Sequence, residues 1–300
     1  MVRRRGWIVG VAGLVIGMVA VTGCATADSP AARSTVTVYA PASSSVSASA
    51  SSSVPGSGSG ANQALSASFQ RLATGTGLRV GLAAAPVGPN GSAMLTLGDQ
   101  QPGVAWSTIK VPLAVAAERE NGQSAAESNA IINSDNDSAE ELWASLGSGT
   151  QASAKVTAVL REGGNPNTVV PSEQLRSGFT VFGQTVWTLP AAATFTGHLP
   201  CMRGTAHVVS LMGQVAGNQQ WGVEIMRAPT KTAVKGGWGP GADGGYLVRQ
   251  IGLITYRDGQ QSAVAMSAVG GSMAAGTSAL NAVGNWLNQN IAALPRGRCR

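Results

Sequence analysis

Charge is scarce in this chain. Asp, Glu, Lys and Arg together make up 11% of its 300 residues, and only four are lysines. The formal charge is +6. Three of those charges are the consecutive Arg3, Arg4 and Arg5, and without them the balance falls to +3. No basic patch remains elsewhere, which excludes nucleic acid as the expected partner. Histidines number two and cysteines three. His198 and His207 lie near Cys201, but a metal centre needs more ligands at suitable spacing, so no metal is expected. No phosphate-binding loop, dinucleotide fingerprint or internal repeat is present, and no cofactor is expected.

What is present begins with an address. Arg3 to Arg5 precede an apolar run from Trp7 to Val21, which is short for a membrane-spanning helix. Val21-Thr22-Gly23-Cys24 follows and resembles a bacterial lipobox. Residues 1–23 are therefore expected to be a lipoprotein signal peptide. Lipidation at Cys24 would hold the mature chain at the outer face of the cytoplasmic membrane, facing the cell wall. Residues 24–60 are rich in Ser, Ala and Gly and bury too little apolar surface to order themselves, so they read as a tether.

Residues 61–300 suit one domain with a sizeable core. Leu65, Phe69 and Leu72 recur at helical spacing within 62–73. Residues 78–85 read as a buried strand. Pro89-Asn90-Gly91 is a turn signal, and 92–97 alternates as a second strand, giving a hairpin. Helices are expected within 124–161 and over 205–215. Three late strands are expected at 230–237, 246–256 and 262–269. Leu280, Val283, Leu287 and Ile291 mark an amphipathic helix over 277–291. Strands at both ends with helices between them predict an α/β sandwich closed by the two termini.

The chain is organised around Trp106-Ser107-Thr108-Ile109-Lys110, which leads into an apolar run. On a helix Ser107 and Lys110 share one face. A serine hydroxyl needs a neighbouring base to act as a nucleophile, and a buried lysine loses its proton more readily. With 30 serines and four lysines, roughly 0.4 such pairs arise by chance, so the pair alone proves little. Ser134-Asp135-Asn136 follows 27 residues later, and Lys235-Gly236-Gly237 about a hundred after that. All three motifs together are expected in about one such chain in a thousand.

Their order resembles the active-site-serine penicillin-recognising enzymes: class A-like β-lactamases and D,D-peptidases, including the alanine-rich β-lactamase-like lipoproteins of actinobacteria. The resemblance covers roughly residues 61–300. It implies an antiparallel sheet flanked by helices, with a shortened helical subdomain because Ser107 and Ser134 lie close in sequence. It also implies that Ser107 is the nucleophile, that Lys110 is its base, and that Ser134 relays a proton to the leaving nitrogen. Asn136 would hold the substrate amide and Lys235 would supply positive charge near its carboxylate. The backbone N–H groups of Ser107 and Trp238 would stabilise the oxyanion, with Gly237 letting the strand approach closely. The substrate class would be β-lactams or peptidoglycan D-Ala-D-Ala. The alternative is a catalytically weak or inactive lipoprotein that binds a cell-wall ligand or a protein partner. Either would act as a monomer.

The sequence departs from the family at three places. Gly236 replaces the usual hydroxyl residue, removing a charge-assisted bond worth roughly 1.5–3 kcal/mol. The stretch between Ser107 and Ser134 is short. Glu173 is the candidate deacylating base, because its distance to Pro190 fits the family's omega loop, yet Pro171, Ser177 and Val186 replace the expected neighbours. With Cys24 lipidated, Cys201 and Cys299 remain, and an exported protein is expected to pair them.

Overall fold

The computed structural model describes residues 57–88, 94–241 and 244–299, with side chains described from residue 62. Cys24, the signal peptide and the turn at Pro89-Asn90-Gly91 lie outside the described residues, as does the tether up to residue 56. Helix α1, Ser57–Thr76, takes in the last four residues of the expected tether. Among the described residues no helix is long and apolar enough to cross a membrane.

Strand β1, Arg79–Pro86, is buried along nearly its whole length, as a strand covered on both faces must be. It pairs antiparallel with β2, Leu95–Gly98, forming the expected hairpin. The late strands β5 (Lys231–Pro240), β6 (Tyr246–Thr255) and β7 (Gln261–Gly270) form a meander. Strand β7 pairs with β1, so the sheet runs β2-β1-β7-β6-β5 and is antiparallel throughout. The sheet is thus built from both ends of the domain, and β5 is left as an edge. A short ribbon of β3 (Gly103–Val104) and β4 (Val186–Trp187) stands apart from it.

Two apolar clusters cover the two faces. On one, Phe69 of α1 packs edge-on to Trp286 of α8 (Met273–Gln289), with ring centroids 5.2 Å apart. On the other lie α2 (Lys110–Asn121), α3 (Ala125–Ile132), α4 (Asn136–Ser145), α5 (Gly149–Glu162), α6 (Leu189–His198) and α7 (Ala206–Met212). Helix α6 was not legible in sequence. Thr188 caps it and Pro190 sits in its first turn, but small residues hide its apolar face until it packs on β1 and β7. The helix expected over 205–215 is shorter, because Gly213 ends α7.

Cys201 and Cys299 form the expected disulfide. It ties the C-terminal segment to the turn after α6 across 98 residues of sequence. Gly297 pairs with Gln261 nearby, so the same segment is also held by backbone hydrogen bonds. Cys299→Ser should lower unfolding stability by about 2–5 kcal/mol in denaturant titrations. A midpoint equal to that of the oxidised wild type would show that the crosslink carries no stability.

Candidate active site

The site begins where the chain turns into α2. Trp106–Ile109 forms a single 3-10 turn, and the α-helix starts at Lys110. In a 3-10 turn residues three apart eclipse one another, so Ser107 and Lys110 still stack. Trp106, just before the nucleophile candidate, has φ +46°. Ser134 has φ +59°. Both are left-handed conformations that cost a non-glycine residue about 1–3 kcal/mol, and such strain concentrates at functional sites. Ser107 is half-buried.

The second wall is the turn between α3 and α4. Asp135 caps α4, its carboxylate accepting a hydrogen bond from the Ser138 N–H at 2.7 Å. Hydrogen bonding from the Ser138 side chain first, and from its backbone second, holds the Asp135 carboxyl below its usual pKa. Asn136 is the first residue of α4. The Lys110 ammonium reaches across and donates to Asn136 Oδ1 at 2.8 Å and to the carbonyls of Ser134 and Asp135 at 2.7 and 2.9 Å. Lys110 is 1% exposed. Burial lowers its pKa to about 8, against the opposing pull of Asp135 and Glu140. Its three donors are all committed to this turn, and no hydrogen bond to Ser107 is formed.

The third wall is β5. Lys235 and Gly237 point to the same face, and Lys235 is fully buried. Its ammonium donates to Ser134 Oγ at 2.9 Å, to Gln219 Oε1 at 2.6 Å and to its own neighbour's carbonyl, Gly236 O, at 2.9 Å. Burial first, and the charge of Lys110 second, push its pKa well down. Gly237 lies against the nucleophile turn. A Cβ there would come 2.9 Å from Ser107 N and from Ala105 O, so only glycine lets the strand pass so close.

Gly236 points to the opposite face, where a Cβ would come 2.8 Å from Trp221 Cζ2. The missing hydroxyl therefore has a packing cause: the Trp221 ring fills the space beside the strand. Trp238 lies beyond it, beside the cleft.

Ser107, Ser134 and Asn136 open together into a cleft of about 350 Å³, shared with Trp238, Phe179 and Tyr246. Phe179 meets the Trp106 ring edge-on at 5.1 Å. Arg176 packs over Phe179, 4.7 Å from the ring centroid, and donates to Pro240 O. The loop carrying Phe179 is fixed by Gln184, whose amide donates to the Phe179 and Thr180 carbonyls. Glu173 lies on the same loop but is exposed and does not line the cleft.

Two residues missed by sequence reasoning hold the walls together. Gln219 is fully buried. It accepts from Lys235 and from the Gly236 N–H, and donates to the carbonyls of Ile131 and Ile132 at the end of α3. Arg249 on β6 is buried and donates to the carbonyls of Gly103, Val104 and Trp187, bracing the ribbon just ahead of Ser107. Burial lowers its pKa to about 10. A lone Gln and a lone Arg carry no motif, so their sequence offers no signal.

Solved structures share this fold. The fold is that of the class A β-lactamases. TLA-3 extended-spectrum β-lactamase superposes with a TM-score of 0.59 at 16% identity, covering 76% of this chain and 99% of that one. A β-lactamase from Burkholderia vietnamiensis gives 0.61 at 18% identity, over 76% and 97% of the two chains. PBP-A gives 0.58 at 21% identity, over 77% and 97%. At such identities the likeness is one of fold alone. No protein-family model matches the chain, and a search of curated proteins finds no significant match.

Gly236→Ser tests the packing account of the missing hydroxyl. The added Cβ and hydroxyl should press on Trp221 and lower stability by about 1–3 kcal/mol. Denaturant unfolding that leaves the midpoint unchanged would mean Trp221 is not what excludes a side chain there.

Proposed function

We propose that this protein is an exported, membrane-tethered serine hydrolase acting on β-lactams or peptidoglycan D-Ala-D-Ala substrates through an acyl-enzyme on Ser107. The observation that carries the reading is the convergence of three separate stretches of chain: Ser107, Ser134 and Asn136 line one cleft, and the buried Lys110 and Lys235 bond to Asn136 and Ser134 behind it. A binding module has no need of all five.

In this reading the Ser107 hydroxyl attacks the carbonyl carbon and its proton passes to Lys110. The acceptor must be the neutral amine, since an ammonium has no lone pair. Negative charge builds on the carbonyl oxygen, which the Ser107 and Trp238 N–H groups would receive. Collapse of the tetrahedral species expels the amide nitrogen, protonated through Ser134, whose oxygen is already bonded to Lys235. Asn136 orients the substrate amide, and Lys235 lends positive field to the carboxylate. The lipid at Cys24 would keep the domain beside the cell wall, where such carbonyls occur.

A specific observation favours a penicillin-binding mode over turnover. Among the described cleft residues there is no carboxylate, and Glu173 stands outside. Among the described cleft residues no carboxylate is then placed to activate a hydrolytic water, so the acyl group should persist. The catalytically weak, ligand-binding alternative draws on the same observation together with the uncoupled Lys110 and Gly236.

Labelling of the full-length protein with a fluorescent penicillin tests the reading. Ser107→Ala should abolish the label, and Lys110→Ala should slow it by roughly 10²–10⁴-fold. The Lys110 pKa of about 8 fixes the pH dependence. Below it the neutral amine gains about tenfold per pH unit, so the labelling rate should climb from pH 6 to pH 7 and level off above pH 8. The label should decay equally slowly in wild type and Glu173→Gln. Labelling that survives Ser107→Ala, or fails altogether, would leave ligand binding as the better reading. The tether is tested separately: Cys24→Ala should leave the membrane fraction or fail to mature, and normal membrane retention as a mature-sized form would refute it.

A further inference from the structure

Away from the cleft, three helices bring two carboxylates and an imidazole together. Glu118 sits in the last turn of α2, Glu127 in the first turn of α3, and His207 near the start of α7. One ligand atom from each lies within 4.8 Å of the others. His207 Nδ1 is 3.3 Å from Glu127 Oε1 and 3.7 Å from Glu118 Oε2.

The surroundings leave this cluster short of positive charge. Glu127 is 1% exposed, and its Oε2 has no hydrogen-bond partner. Glu118 Oε2 is likewise buried without one. Among the described residues no Lys or Arg reaches either carboxylate: Arg119 is engaged by Glu162 and Lys155 by Glu120. Two carboxylates buried beside each other repel unless a proton or a cation stands between them.

We propose that Glu118, Glu127 and His207 form a binding site for one divalent cation, zinc by preference. A four-coordinate zinc with bonds of about 2.0–2.2 Å to nitrogen and oxygen sets its ligands roughly 3.4 Å apart. The His207 separations of 3.3 and 3.7 Å lie close to that edge, and the two carboxylates come within 4.8 Å of each other. Two carboxylates and a neutral imidazole balance a dipositive ion, and His207 is partly exposed, leaving a side on which water completes the shell. An outer partner is also present: the Gln123 amide donates to Glu118 Oε1, steadying that carboxylate. The ion would clamp α2, which begins at Lys110, to α3, which leads into Ser134.

The test is zinc binding by the untagged full-length protein after removal of bound metal with a chelator. Isothermal titration should give one Zn²⁺ per chain, and added Zn²⁺ should raise the thermal midpoint. His207→Ala and Glu127→Gln should each weaken binding at least tenfold and remove the midpoint rise. Circular dichroism of the metal-free variants should match wild type, and Glu118→Gln serves as a second carboxylate variant should Glu127→Gln misfold. Bound Co²⁺ should show the visible spectrum of a four-coordinate site. Failure of the wild type to take up one zinc, or uptake unchanged by His207→Ala, overturns the proposal and leaves the two carboxylates sharing a proton.

Discussion

Two lysine ammonium groups buried with no carboxylate within ion-pair distance set the terms for the cleft. A charge taken out of water costs several kcal/mol unless it is surrounded by hydrogen-bond acceptors. Lys110 meets that demand with two carbonyls and one amide oxygen, all from the turn that carries Ser134. Lys235 meets it with Ser134 Oγ, Gln219 Oε1 and Gly236 O. Neutral acceptors stabilise a cation less than a carboxylate does. That difference lets burial carry the Lys110 pKa down to about 8, into a range where the amine can serve as a base. A carboxylate partner would satisfy the charge better and hold the pKa higher.

The rest of the domain keeps those acceptors in place. Ser134 adopts a left-handed backbone, which turns its carbonyl toward Lys110 while its hydroxyl faces Lys235. Its neighbours are pinned from two sides: Asp135 caps α4, and the 216–219 segment bonds to the end of α3 through Ala216 N, Gln219 and Asn218. The strain at Ser134 is sustained because both flanking helices are over-determined. On the far side, the edge position of β5 leaves its Gly237 backbone open to the nucleophile turn. An interior strand could not approach in that way.

The shared fold with class A β-lactamases and PBP-A supplies this framework, not the outcome of the chemistry. Three local features of this chain bear on the proposed chemistry: Trp221 against Gly236, Lys110 turned to the α3–α4 turn, and a loop whose aromatic Phe179 borders the cleft. In the proposed reading, each would favour slow acylation over turnover.

Much of this was legible in the sequence for a local reason. The hairpin, the three late strands and the last helix announce themselves by periodicity, because each buries a face set by its own side chains. Ser107, Lys110, Ser134, Asn136 and Lys235, which the fold brings together, were legible because they stand at fixed spacing in short motifs. The cysteine pair followed from counting. Tertiary structure alone decided the rest. Helix α6 has small residues whose burial depends on the sheet they meet, and Gln219 and Arg249 act on carbonyls distant in sequence. Glu173 fits the omega-loop spacing, but whether a loop residue faces the cleft depends on how the loop is packed, and here Gln184 and Arg176 set it outside. Glu118, Glu127 and His207 meet only because three helices converge, with Glu127 and His207 a sequence separation of 80 apart. Spacing along a chain fixes what a single turn can place side by side, whereas contacts between separate elements depend on packing that no local pattern records.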